Sequence, residues 1–154
     1  MRKILFAIVT LCTVLNLSAA EKGDKSLGVL SGYNTRVASA PVGLYFQYNF
    51  SSFIRVAPDL QFVIKNNGKS FYTFNANVHF LFKLDTKLNA YPLAGVTYQN
   101  WRIDDESYGR LGLNVGAGLD FMVMPTLKLF VEGRYTPVKN LSSGNFLVGI
   151  GYKF

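Results

Sequence analysis

From position 27 onward the chain alternates apolar with polar or small residues at a period of two, the spacing of side chains on the two faces of a strand. Tyr72, Phe74, Ala76, Val78, Phe80 and Phe82 share one face, with Thr73, Asn75, Asn77 and His79 on the other. Residues 110–122 repeat the pattern: Leu111, Leu113, Val115, Ala117, Leu119 and Phe121 oppose Arg110, Asn114, Asp120 and three glycines. Leu44, Phe46, Tyr48 and Phe50 oppose Gln47 and Asn49, and Ile54, Val56, Leu60, Phe62 and Ile64 oppose Arg55, Asp59 and Gln61. Leu127, Leu129, Val131 and Tyr135 oppose Lys128, Glu132 and Arg134; Phe146, Val148, Ile150, Tyr152 and Phe154 oppose Gly149, Gly151 and Lys153. Two further strands, at 27–34 and 88–101, read less cleanly, the second with Pro92 inside it. Eight strands are predicted, and no stretch carries a helical period.

The expected connections alternate in length. Short links fall at Ser51-Ser52, Asp85-Thr86 and Met124-Pro125-Thr126; longer ones are expected at 35–41, 66–70, 102–108 and 138–144. In an even-stranded meander this puts all short turns, with both termini, at one end. Ahead of the strands, Arg2 and Lys3 precede an apolar run and then Ser18-Ala19-Ala20, the layout of a secretory signal peptide with cleavage after Ala20. Residues 1–20 are therefore read as a leader and 21–154 as one domain. Cys12, the single cysteine, lies in the leader, so the mature chain has no thiol for a disulfide, a metal or nucleophilic attack.

Alternation alone does not say which face is outside; composition does. The chain is 49% hydrophobic, 15% aromatic and only 16% charged. That excludes a highly charged disordered chain, and past the leader no run of roughly 20 apolar residues marks a spanning helix. The bulky face is too large for the interior of an eight-stranded barrel, which holds only side chains. Turned outward to lipid, with Gly, Asn and charges inward, it fits, and closure satisfies every backbone donor. The fold class is therefore all-β: an eight-stranded antiparallel up-and-down transmembrane β-barrel. A soluble lipocalin-like binder would need every face inverted. Two rings of aromatics agree with the membrane reading: Phe50, Phe53, Phe82, Phe121, Tyr152 and Phe154 at the short-turn ends, and Tyr33, Tyr72, Tyr98, Trp101, Tyr135 and Phe146 at the other.

The terminal run Val148-Gly-Ile-Gly-Tyr-Lys-Phe154 resembles the C-terminal signal of bacterial outer-membrane barrels. The runs at 91–98, 111–121 and 129–135 are similar to strands five to seven of the small OmpA/OmpX-like barrels. The resemblance covers the whole mature chain. It implies Sec export to a Gram-negative outer membrane, with lipid and lipopolysaccharide as surroundings and the chain a monomer. Val148, Ile150, Tyr152 and Phe154 would be the signal read by the barrel-insertion machinery. No wall-anchoring domain is implied.

Candidate chemistry sits on the inward face. Arg55, Asp59, Lys128, Glu132 and Arg134 are expected to form a polar network centred on Glu132, since charges in a narrow lumen are costly unless paired. Such a network either plugs the barrel, for a structural, envelope-integrity or surface-interaction role, or gates a narrow pore for small solutes. His79, the only histidine, invites comparison with lipid A–modifying barrels. It points inward with no serine partner, so no enzyme is expected. One His without Cys offers no metal centre, and no cofactor is expected. Asp104-Asp105-Glu106 in the longest expected loop reads as a solvated tip rather than a cation site. The basic segment 65–69 reads either as a contact for anionic lipopolysaccharide headgroups or as an ordinary hairpin loop. Of the net charge of +7, two units belong to Arg2 and Lys3. The remaining basic residues are dispersed, and nucleic acid is not expected as a partner.

Overall fold

The computed structural model describes residues 21–66, 69–103, 106–138 and 142–154, without the side chains of 64–66, 69 and 103. The leader with Ala20, the acids Asp104 and Asp105, and the side chains of the basic segment 65–69 lie outside that description. No described helix is long and apolar enough to cross a membrane.

Nine antiparallel segments form one sheet: β1 (Lys25–Asn34), β2 (Pro41–Asn49), β3 (Ile54–Asn66), β4 (Lys69–Phe80), β5 (Phe82–Lys83), β6 (Leu88–Ile103), β7 (Glu106–Met124), β8 (Leu127–Thr136) and β9 (Ser143–Lys153). Each pairs with its sequence neighbour except β4 with β5, β1 pairs with β9, and β4 pairs with β6, so the sheet closes on itself. β4 and β5 share one register against β6, which makes them two pieces of one stave and gives a closed eight-stranded barrel. The interruption has a local cause. Extending the register puts Phe80 opposite Pro92, which has no N–H for the ladder. On the other edge the β3 register continues, Leu81 N–H donating to the Phe53 carbonyl at 2.8 Å.

Side chains divide as lipid demands. Val29, Leu44, Phe62, Phe74, Val96, Leu113, Val131 and Ile150 are exposed, whereas the polar residues opposite them are buried in the lumen. Both aromatic rings are present on the outer face with one exception. Trp101 is buried and stacks on Phe71 inside the barrel, ring centroids 4.3 Å apart. It shares parity with Thr97 and Gln99, both buried, so its register sends it inward. Val63 and Val37 pack on that pair and cap the lumen at the end away from the chain termini.

Two expected long loops are absent as loops. The β3–β4 ladder continues to Asn66↔Lys69 and the β6–β7 ladder to Ile103↔Glu106, so both connections are tight hairpins. Their polar tips were read as loop because alternation fails there. Above the membrane both faces of a strand are wet, and Asn100, Arg102 and Ser107 need no apolar partners. Arg102 and Ser107 are exposed, and Ser107 donates to Asn100 at 2.9 Å.

Large inward rings rest on inward glycines. Tyr45 lies over Gly28 and Gly151, and Phe130 over Gly149, where a built Cβ would collide with the ring. The two rings meet edge-on at 5.0 Å in a cluster with Leu30 and Leu147. A Gly149→Val substitution forces Phe130 out of this packing and is expected to destabilise the barrel by about 1–3 kcal/mol. The measurement is the temperature at which the SDS-resistant band is lost. No change in that temperature would mean the ring has room to move.

Candidate functional site

Closure brings one face of every strand into a narrow shaft. A carboxylate or guanidinium there must find its counterpart across the barrel or remain uncompensated. Two linked ionic groups result. Nearer the termini, Arg55 on β3 pairs with Asp120 on β7 through one guanidinium nitrogen, both residues at most 2% exposed. Its Nε and second terminal nitrogen lie 3.2 and 2.9 Å from His79 Nδ1 on β4. The guanidinium also sits 4.7 Å over the ring of Tyr91, a favourable cation–π position. His79 also stacks parallel to Tyr91, ring centroids 4.4 Å apart.

Tyr91 carries the network onward. Its hydroxyl donates to Glu132 Oε2 at 3.0 Å. Arg134, two residues along β8 and so on the same face, donates to Glu132 Oε1 through Nε at 2.9 Å and a terminal nitrogen at 2.5 Å. That same nitrogen reaches Asp59 Oδ2 on β3 at 3.0 Å. Asp59 accepts three further bonds, from Gln61 at 2.6 Å, Asn75 at 2.7 Å and Asn77 at 3.2 Å. Asn114 donates to Asn75 and Asn77, each at 3.0 Å, and accepts from Thr136 at 2.8 Å. The chain of contacts from Asp120 to Thr136 thus ties β3, β4, β6, β7 and β8 together.

Of the five expected network residues, Asp59, Glu132 and Arg134 meet directly, and Arg55 joins through Tyr91. Lys128 stands apart, its ammonium donating to Gln47 on β2. Sequence reading missed Asp120, Tyr91 and the asparagine layer as network members. Parity already placed Asp120 and the asparagines inward; which strands meet across the shaft depends on barrel stagger, which parity does not carry. His79 is buried and its Nδ1 is occupied by Arg55. Its Nε2, 3.9 Å from Glu132, has no hydrogen-bond partner among the described residues. Among the described residues no group of three His, Cys, Asp or Glu is placed to hold a metal ion. Val148, Ile150, Tyr152 and Phe154 all stand exposed on the outer face of β9 or just past its end.

A closed barrel with an apolar exterior, aromatic rings at both rims and charges paired inside belongs to the class that crosses membranes by strands. The chain belongs to the outer membrane protein beta-barrel domain family, whose model matches residues 9–154. No curated protein sequence matches it. Among solved structures it is similar to the N-terminal barrel of OprF from Pseudomonas aeruginosa, at 15% identity and TM-score 0.69 over 88% of this chain and 100% of that one. The neisserial surface protein NspA follows at 17% identity and TM-score 0.66, covering 85% and 96%. The attachment invasion locus protein Ail of Yersinia pestis has 18% identity and TM-score 0.62, covering 86% and 99%. These likenesses carry the fold.

Removing Arg134 strands two carboxylates in the shaft. Arg134→Ala is expected to cost about 3–5 kcal/mol of stability, with Glu132→Gln, which keeps a hydrogen-bonding group, costing less. Urea unfolding in detergent micelles measures both; an equal or reversed order would show that Glu132, not Arg134, holds the network.

Proposed function

We propose that this chain is a structural outer-membrane barrel whose occluded lumen makes it a rigid mount for its surface hairpins. The observation that carries this reading is the continuous side-chain packing of the shaft. An ionic network fills its middle, and the Val63, Phe71 and Trp101 cluster caps its outer end. Exposed Arg102 and Arg110 on the β6–β7 hairpin stand at the rim, where anionic lipopolysaccharide headgroups are their natural partners. Likeness in fold to a protein named for attachment and to a surface protein supports a role in surface interaction. Export through the leader, cleavage after Ala20 and recognition of Phe154 by the insertion machinery complete the proposal. No catalytic role is assigned to His79, which is held between Arg55 and Tyr91 away from lipid.

A narrow gated pore is the second reading. It is favoured by four buried polar atoms that, among the described residues, have no hydrogen-bond partner: Tyr45 Oη, His79 Nε2, Thr97 Oγ1 and Asp120 Oδ1. Planar-bilayer recording of the purified protein separates the two. Silence is expected for the parent chain. Stable single-channel steps, altered by Glu132→Ala, would overturn the occluded barrel in favour of the pore. For the membrane assignment, the expected result is fractionation with outer membranes and a change in gel mobility on boiling in SDS.

A further inference from the structure

At the terminus-bearing end the shaft opens into a vestibule of about 610 Å³, below the ionic network. Its lining holds five cationic side chains against three carboxylates. Two of those cations are matched: Lys153 pairs with Asp24 at 2.7 Å, and Arg55 pairs with Asp120. Lys83, Lys87 and Lys128 remain against Glu21. Lys83 and Lys87 lie at the mouth, but Lys128 is different in kind. It is only 6% exposed, and its one hydrogen-bond partner among the described residues is the neutral amide of Gln47. An ammonium has three donors, and a buried one without a counter-ion is costly.

Beside it stands a second unfinished group. Asp120 is the diagonal neighbour of Lys128, since Met122 pairs with Lys128 and Asp120 with Phe130. Asp120 spends Oδ2 on Arg55, and its Oδ1 is buried without a hydrogen-bond partner among the described residues. Ser26 and Asn89, both buried, add a hydroxyl and an amide to the same lining. The vestibule therefore offers an unmatched cation, an unmatched hydrogen-bond acceptor and neutral polar groups together.

We propose that this vestibule is a binding site for hydrogen phosphate, held by Lys128 and recognised through its P–OH by the free oxygen of Asp120. The chemistry selects among oxyanions. Lysine is a point-charge partner suited to a tetrahedral anion approached from several sides. A fully ionised sulfate would set a bare oxygen against the Asp120 carboxylate, whereas HPO₄²⁻ or H₂PO₄⁻ donates a hydrogen bond there. A phosphodiester lipid headgroup has no P–OH and is disfavoured on the same ground. The site faces the side of the membrane on which both termini lie, and it stands whether or not the shaft conducts.

The test is calorimetric titration of the detergent-solubilised full chain at neutral pH with sodium phosphate, and with sodium sulfate at matched ionic strength. Saturable phosphate binding is expected, with sulfate weaker by about tenfold or more, the scale of one hydrogen bond to a charged group. Lys128→Met is expected to weaken phosphate by a similar factor, and Asp120→Asn to bring phosphate and sulfate together. Asp120 also holds Arg55, so folding of each variant is checked by heat-dependent gel mobility. Where Asp120→Asn does not assemble, Lys128→Met and the sulfate comparison decide. Absent saturation, equal affinity for sulfate, or an unchanged Lys128→Met would overturn the site. Displacement of phosphate by short-chain phosphatidylglycerol in the micelle would overturn hydrogen phosphate as the ligand and assign the site to a lipid headgroup.

Discussion

A strand in hydrocarbon has nowhere to send its backbone hydrogen bonds except to another strand, and a sheet that must leave no edge unpaired can only close. Here closure is made by β1 against β9 and by β4 with its continuation β5 against β6. With eight staves the resulting shaft is only wide enough for side chains. Nearly everything else follows from that width. Inward residues must be small, or packed, or hydrogen-bonded, because the space around them is so confined. The glycines beneath Tyr45 and Phe130 and the charges paired through Arg134 are two answers to one steric problem.

The ionic network is best understood as a way of making acids and bases tolerable at that width. Asp59 takes three amide donors besides Arg134, so its carboxylate is saturated without needing a full second cation. Tyr91 links the two arginine-centred groups without carrying charge. Such a lattice resists sliding of one stave past another, because each slip would break several charge-assisted bonds at once. Rigidity of this kind suits a mount for surface hairpins more than a freely hydrated conduit.

The outward face was legible in the sequence almost residue by residue, because lipid imposes one rule, bulk and apolarity, on every second position. The inward face was legible only in part. Charged and amide residues such as Arg55, Asn75 and Glu132 declared their side, but Tyr45, Tyr91 and Phe130 did not. An aromatic residue in a membrane strand suggests lipid, and Trp101 was assigned to the outer ring for that reason. Only its register against Phe71 reverses the assignment. Partners across the shaft, Arg55 with Asp120 above all, depend on the stagger of strands far apart in sequence. The hairpins at 66–69 and 103–106 were hidden for a third reason: outside the bilayer the rule that produces alternation no longer applies.

One topological fact has a bearing on how such a chain can be built. The last strand, β9, lies against the first, so Ser26 and Lys153 are neighbours although almost the whole barrel sequence separates them. A polypeptide emerging from its amino end has most of its staves in hand long before the closing partner exists. Until then β1 is an open edge, and until β8 follows, Asp59 of β3 lies without the guanidinium of Arg134. Loop-closure entropy grows only logarithmically with length, so the thermodynamic penalty of this arrangement is modest, but the waiting time is not. Barrel completion thus waits on the final stave, and a truncated chain lacking it leaves both β1 and β8 as open edges.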